Sequence, residues 1–245
     1  MLLKLFLIYL MTLIPLIYPH SIPYSDQLSR HKLIYAAIAA YGSVPQYCMD
    51  RGFNGSTVKR QITVSCDTTA WPSGGFVSEY FSDAFFKIWS SGMKDDFNGL
   101  HTKYPGYQVW VTGHSLGGAM ASLAASYLRF NDLVSSESLL LVTFGQPRTG
   151  NLTYAQSVDT LVDNAYRIIH SHDPVPHVPG KGHHSGYWHH KSEIFYNQKM
   201  TGWEICEEDE GQRCSNANSV DLNFEDHLQY FGLEILNLGY SNCQI

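Results

Sequence analysis

Basic charge is scarce in this chain. Sixteen lysines and arginines are scattered through 245 residues against 22 acids, giving a net charge of −6 and a pI near 6.0. No field able to hold a phosphate backbone results, so nucleic acid is set aside as a partner. Internal repeats, low-complexity tracts and linkers are absent too, which points to one domain. No apolar run reaches the ~20 residues of a spanning helix. The N-terminal "MLLKLFLIYLMTLIPLI" comes nearest, but Pro15 interrupts it. With one early positive charge at Lys4, and Pro19 and Pro23 following, it reads as a secretory signal peptide over 1–22, ahead of a single domain over 23–245. No A-x-A pattern marks its cleavage site. There is also no HExxH segment and no paired-cysteine framework, so neither metal nor cofactor is expected. Seven of the 12 histidines lie between His170 and His190, but adjacent pairs such as His183-His184 and His189-His190 would point to opposite faces of a strand.

What is present is enough apolar material for a core: 44% hydrophobic residues, with 13% aromatics. Secretion would carry Cys48, Cys66, Cys206, Cys214 and Cys243 into an oxidising compartment, where pairing is expected. Five is odd, so at least one cysteine has no partner within the chain. Asn54-Gly55-Ser56 and Asn151-Leu152-Thr153 fit the glycosylation pattern.

Hydrophobic spacing sets out alternating elements. "LSRHKLIYAAIAAYG" predicts a first helix closing at Gly42, and the alternation Val58, Arg60, Ile62, Val64 predicts a strand. Val77, Tyr80, Phe81, Ala84, Phe85 and Ile88 predict a long amphipathic helix that Met93, Phe97 and Leu100 continue past Gly92. After Pro105-Gly106, "YQVWVT" reads as a strand and 116–130 as a helix. "LLLVTFG" (139–145) and "AYRIIHS" (165–171) are nearly continuous apolar runs, as strands buried on both faces should be. Strands alternating with helices give an α/β fold with a mainly parallel central sheet.

Between a predicted strand and a predicted helix lies Gly113-His114-Ser115-Leu116-Gly117, a G-x-S-x-G turn in the context that motif requires. The glycines make room for a cramped turn that lifts the serine hydroxyl above the sheet edge. A serine hydroxyl is a weak nucleophile, needing a histidine base that a carboxylate orients. In the order serine, acid, histidine, Asp173 follows directly on a strand, where its carboxyl end would aim toward the serine. Asp159 and Asp163 lie earlier, in predicted helix or loop. His227, in "FEDHLQYF", is the only histidine after residue 190.

"WVTGHSLGGAMASLAA", "LVTFGQPRTGN", "YRIIHSHDPVPHVP", "YWHHKSEIFY" and "DHLQYF", in this order, strongly resemble the class 3 lipases, secreted fungal-type triacylglycerol lipases of α/β-hydrolase fold and their nematode relatives. The resemblance runs from about Tyr35 to Cys243. It implies a catalytic triad of Ser115, Asp173 and His227, with the Leu116 backbone N–H as one oxyanion donor. It further implies that His189 and His190 are structural, and that Cys48 pairs with Cys243 and Cys206 with Cys214. The expected function is a secreted acyl-ester hydrolase acting on lipid or other carboxylic esters through an acyl-serine, with transient contact to a lipid surface.

One region departs from the family. Members carry a buried strand ending in a Phe-Arg-Gly-Thr/Ser type motif, which supplies the second oxyanion donor, and then a lid helix. Here "ITVSCDTTAWPSGGFVSEYF" passes almost directly to the long helix. The sheet is therefore expected to lack one central strand, and activity to be impaired. Cys66 resembles one member of a close pair whose partner would fall in the missing stretch. "VKRQITVS" could substitute as the strand, bringing Thr68 or Thr69 near the oxyanion position. The competing expectation is a truncated, catalytically weak lipase-like protein with a binding role.

Overall fold

The computed structural model describes residues 10–12, 22–59, 71–181, 186–218 and 221–244. Six strands, β1 (Leu10–Thr12), β2 (Gln108–His114), β3 (Leu139–Phe144), β4 (Ala165–His170), β5 (Glu193–Tyr196) and β6 (Trp203–Cys206), form one sheet in that spatial order. The steps from β2 to β5 are parallel, while β1 and β6 run antiparallel at the two edges. Every residue of β2 and β3 is buried, as their unbroken apolar runs require.

Alternation along the strands feeds two cores. Val109, Val111, Leu139, Leu141 and Ala165 face one side and Trp110, Leu140, Val142, Phe144 and Ile168 the other. The second side is covered by α1 (Ile34–Ile38), within a helical run from Asp26 to Tyr41, and by α2 (Gln46–Gly52). The first is covered by α3 (Glu79–Ile88), α4 (Lys94–Lys103) through Phe97, α5 (Leu116–Phe130) and α6 (Leu152–Leu161). Two short C-terminal helices follow, α7 (Phe224–Leu228) and α8 (Ile235–Tyr240), of which α8 joins the second core. In α5, Ala119, Ala121, Ala124 and Ala125 are fully buried, and their small side chains let the helix lie close to the sheet carrying the serine.

The expected single helix across Gly92 is two helices. Ser91 (φ −84°, ψ 23°) and Gly92 (φ 108°, ψ −6°) leave helical space between α3 and α4, because glycine alone adopts that positive φ without strain. Of the strand expected from Val58, residues 58 and 59 are irregular and the rest lies outside the described residues, as does Cys66. The flank of β2 away from β3 instead carries β1, with Leu10 opposite Trp110 and Thr12 opposite Gln108. Those three residues come from the stretch read as a leader, whose remainder through residue 21 is outside the described set. The pairing ends at Trp110, before the half of β2 that leads to Ser115.

Both implied disulfides form. Cys48–Cys243 joins α2 to the C-terminal segment, and Cys206–Cys214 closes the acidic loop after β6. Among the described residues no helix is long and apolar enough to cross a membrane.

Candidate active site

Strand β2 ends at His114, α5 begins at Leu116, and Ser115 forms the turn between them at φ 57°, ψ −128°. An L-residue holds this conformation only where its surroundings impose it. Here Ser115 N–H donates to the Phe144 carbonyl at 2.9 Å, and the Ser115 carbonyl accepts from Gly118 N–H at 2.9 Å. A Cβ on Gly113 would lie 2.2 Å from the Gly117 carbonyl oxygen, so both motif glycines mark real backbone contact. Leu116 contributes the first amide of α5, at the positive end of the helix dipole.

Ser115 Oγ lies 2.9 Å from His227 Nε2, and His227 Nδ1 lies 2.9 Å from Asp173 Oδ2. A carboxylate only accepts, so Nδ1 carries the proton and Nε2 is left to accept from the serine hydroxyl. Asp173 is completely buried. Its Oδ1 accepts the Val175 amide at 2.9 Å and its Oδ2 accepts the Tyr230 hydroxyl at 2.8 Å. Burial, and then the adjacent Asp173 charge, push the Tyr230 phenol well above its ordinary range, leaving it a neutral donor.

The helix carrying the histidine is fastened to the loop carrying the acid. Asn223 caps α7 through its side chain and donates its own N–H to the His172 carbonyl at 2.8 Å. Asp226 Oδ2 accepts the His172 amide at 3.0 Å, and its Oδ1 accepts Gln198 Nε2 at 2.8 Å. Gly145, at φ 55°, presses against the Asp173–His227 pair from the end of β3. Sequence reading missed Gly145, Tyr230 and Asp226, although "TFGQP" placed a glycine at a strand end, where backbone commonly approaches a site.

The competing residues are engaged elsewhere. Asp159 accepts the Lys191 amide, and Asp163 accepts the Ser136 hydroxyl. His189 is buried with Nε2 2.7 Å from the Pro176 carbonyl. Burial, reinforced by Arg167 and Arg148, holds its imidazole well below the ordinary value. His190 is pushed down to about 3 by burial and then by Arg167. His183, His184, Thr68 and Thr69 lie outside the described residues. Among the described residues no group of three or more His, Cys, Asp or Glu could hold a metal ion. Asn54 is exposed in a turn, whereas Asn151 caps α6, its Oδ1 accepting the Tyr154 and Phe76 amides.

Residues 45–183 match the family described as Lipase (class 3). A lipase of Caenorhabditis elegans is 33% identical over 227 residues, covering 78% of this chain and 64% of the relative. A secreted mono- and diacylglycerol lipase of Fusarium solani is 31% identical, covering 68% of this chain and 49% of its own length. A solved triacylglycerol lipase, whose catalytic centre is described as a serine protease triad, superposes with a TM-score of 0.59 at 33% identity, covering 71% of this chain and 64% of that one. The chain thus spans less than two thirds of each of these relatives. Serine elbow, parallel sheet and family match agree, and the chain belongs to the class 3 lipase family, with its α/β-hydrolase fold.

Proposed function

We propose that this protein is a secreted serine hydrolase of carboxylic esters, acting on acylglycerols or smaller esters through an acyl-serine. The observation that carries the reading is the unbroken chain of hydrogen bonds from Ser115 Oγ through His227 to buried Asp173. His227 Nε2 takes the hydroxyl proton as Ser115 Oγ attacks the ester carbonyl. Asp173 stabilises the imidazolium that results, without itself taking the proton. The developing oxyanion meets the Leu116 N–H at the helix N-terminus. Nε2 then protonates the leaving alcohol, and a water activated by the same nitrogen releases the acid.

Exposed apolar side chains lie on the segments carrying the acid and the base, and on the stretch before α3. Phe224 is 58% exposed, with its ring 5.4 Å from that of His227. Val178, Leu222 and Phe76 are exposed on the acid loop, before α7 and beside the Val77–Gly150 bridge. They suit an apolar acyl chain or transient contact with a lipid surface. The shortened region before α3 supports weak turnover, since one missing oxyanion donor costs on the order of 10²–10³ in rate. It also supports a preference for short, soluble esters with little activation at an oil–water interface. The secreted mono- and diacylglycerol lipase of Fusarium solani among the relatives supports secretion.

The test is labelling of the purified protein with a fluorophosphonate probe. Modification at Ser115, abolished in Ser115→Ala, supports the reading, and an unlabelled native protein overturns it. Higher specific activity on emulsified long-chain ester than on soluble short-chain ester would contradict the substrate preference.

A further inference from the structure

The triad accounts for both ring nitrogens of His227 but not for what holds its backbone. We infer that His114 and Tyr41 are positioning residues for the proposed catalytic base, locking the His227 main chain to the serine elbow through one directional hydrogen-bond chain. This inference rests on the hydrolase reading above.

His114 immediately precedes Ser115 and is buried. Its Nε2 lies 2.8 Å from the His227 backbone carbonyl, and its Nδ1 lies 2.6 Å from the Tyr41 hydroxyl. A carbonyl only accepts, so the His114 proton sits on Nε2. Nδ1 is then an acceptor, and the Tyr41 O–H donates to it. Only this proton arrangement satisfies every group when His114 is neutral. Neutrality follows from the surroundings: burial, and then the neighbouring His227, push the His114 imidazole down to about 3. Burial likewise raises the Tyr41 phenol and keeps its proton in place.

The result is a closed loop. The dipeptide His114-Ser115 touches His227 twice, once at its carbonyl through His114 Nε2 and once at its ring through Ser115 Oγ. The His114 and His227 rings pack with centroids 4.5 Å apart, tilted by 31°. Serine and base therefore share one reference point, in addition to the loop contacts that hold α7 and the imidazole. Tyr41 is itself held from outside. A Cβ on Gly239 of α8 would lie 2.4 Å from the Tyr41 Cβ, and α8 runs into Cys243, which is bonded to Cys48. Contact continues from the terminal disulfide, through Tyr41 and His114, to the base.

The experiment compares the native chain with Tyr41→Phe, which removes only the hydroxyl. Histidine nitrogen NMR on the native protein should show His114 as the neutral Nε2–H tautomer from pH 8 down to 5. An Nδ1–H tautomer, or titration near pH 6.5, overturns the hydrogen-bond chain whatever the activity. In Tyr41→Phe, fluorophosphonate labelling of Ser115 should slow by about 3- to 10-fold, the loss expected from one hydrogen bond that aligns reacting groups. On a soluble p-nitrophenyl ester, kcat should fall with KM unchanged. Labelling and kcat equal to native, in a variant with the native circular dichroism, overturn the positioning role alone. A native chain that does not label overturns the hydrolase reading, and the role with it.

Discussion

Gly145 sits so close to Asp173 that a Cβ at position 145 would lie 2.6 Å from the Asp173 carboxylate and 2.8 Å from His227 Nδ1. No side chain fits that gap, and φ of 55° at Gly145 adds a conformational demand that alanine meets only with strain. Gly145→Ala must therefore push the acid and the imidazole apart, or move the end of β3. Displacement on the order of 1 Å at a reacting group costs about 10²-fold. Esterase activity of Gly145→Ala is expected to fall by roughly 10²–10³, with KM little changed. Steady-state kinetics on a soluble ester check this, and near-native turnover would show that the pair does not need its tight seat.

Ser115 holds a conformation suited to glycine, and that strain is stored by the elbow rather than by the helix or strand it joins. Residues forced into such regions cost about 1–3 kcal/mol. Glycine relieves it but has more freedom to lose on folding, by roughly 0.5–1 kcal/mol. Ser115→Gly should thus abolish labelling and turnover while leaving stability equal to native or up to about 2 kcal/mol higher. Denaturant unfolding of native, Ser115→Ala and Ser115→Gly chains measures the difference. A Ser115→Gly protein clearly less stable than Ser115→Ala would mean the turn carries no strain.

The elbow was legible in the sequence because its causes are local. Strand, glycine, serine, glycine and helix are consecutive, and the helix predicted over 116–130 is α5, Leu116–Phe130. Asp173 was legible because a parallel strand aims whatever follows its carboxyl end. Gly145, Tyr230 and the Tyr41–His114 contact were not, because their meaning depends on residues far along the chain. Tyr230 reads as a helical position three past His227, but α7 stops at Leu228 and a short strand turns the hydroxyl toward Asp173. At Gly92 the apolar spacing continued while the backbone did not. Periodicity records which residues face the core, and the intervening glycine left the chain free to bend.

Cys48–Cys243 closes 195 residues of separation and anchors α8 beside Tyr41. Removing a native bridge costs about 2–5 kcal/mol, and more for long loops. Cys243→Ser should lower the unfolding free energy by that amount, measured by denaturant titration, whereas Cys206→Ser, opening a separation of 8 residues, should cost less. With two bridges among five cysteines, the denatured, unreduced protein should titrate a single thiol, assigned to Cys66. Two or more thiols would show that one bridge does not form.

Buried neutral histidines set how the fold responds to acid. His114 and His190 are both pushed down to about 3, chiefly by burial, and His189 is held well below the ordinary value for the same reason. Unfolded, each takes a proton as pH falls through ~6.5. Folded, none does until far lower. The unfolded state binds more protons in that window, so stability declines with acid, by about 1.4 kcal/mol per pH unit for each such histidine. His177, also lowered by burial, adds in the same direction. Asp159 opposes them. Its carboxyl is raised to about 6, by burial and then by the Asp209 charge against the Lys191 amide, so near pH 5.5 the folded state holds a proton that the unfolded state has lost. Asp159 is partly exposed and solvent screens its share, so three histidines against it leave a net uptake on unfolding of about two to three protons between pH 6 and 5, hence a loss of roughly 3–4 kcal/mol over that unit. Urea unfolding at half-unit pH intervals measures the slope directly. A flat profile between 6 and 5 would mean these imidazoles are charged in the folded protein, which the packing around His114 and His190 does not accommodate.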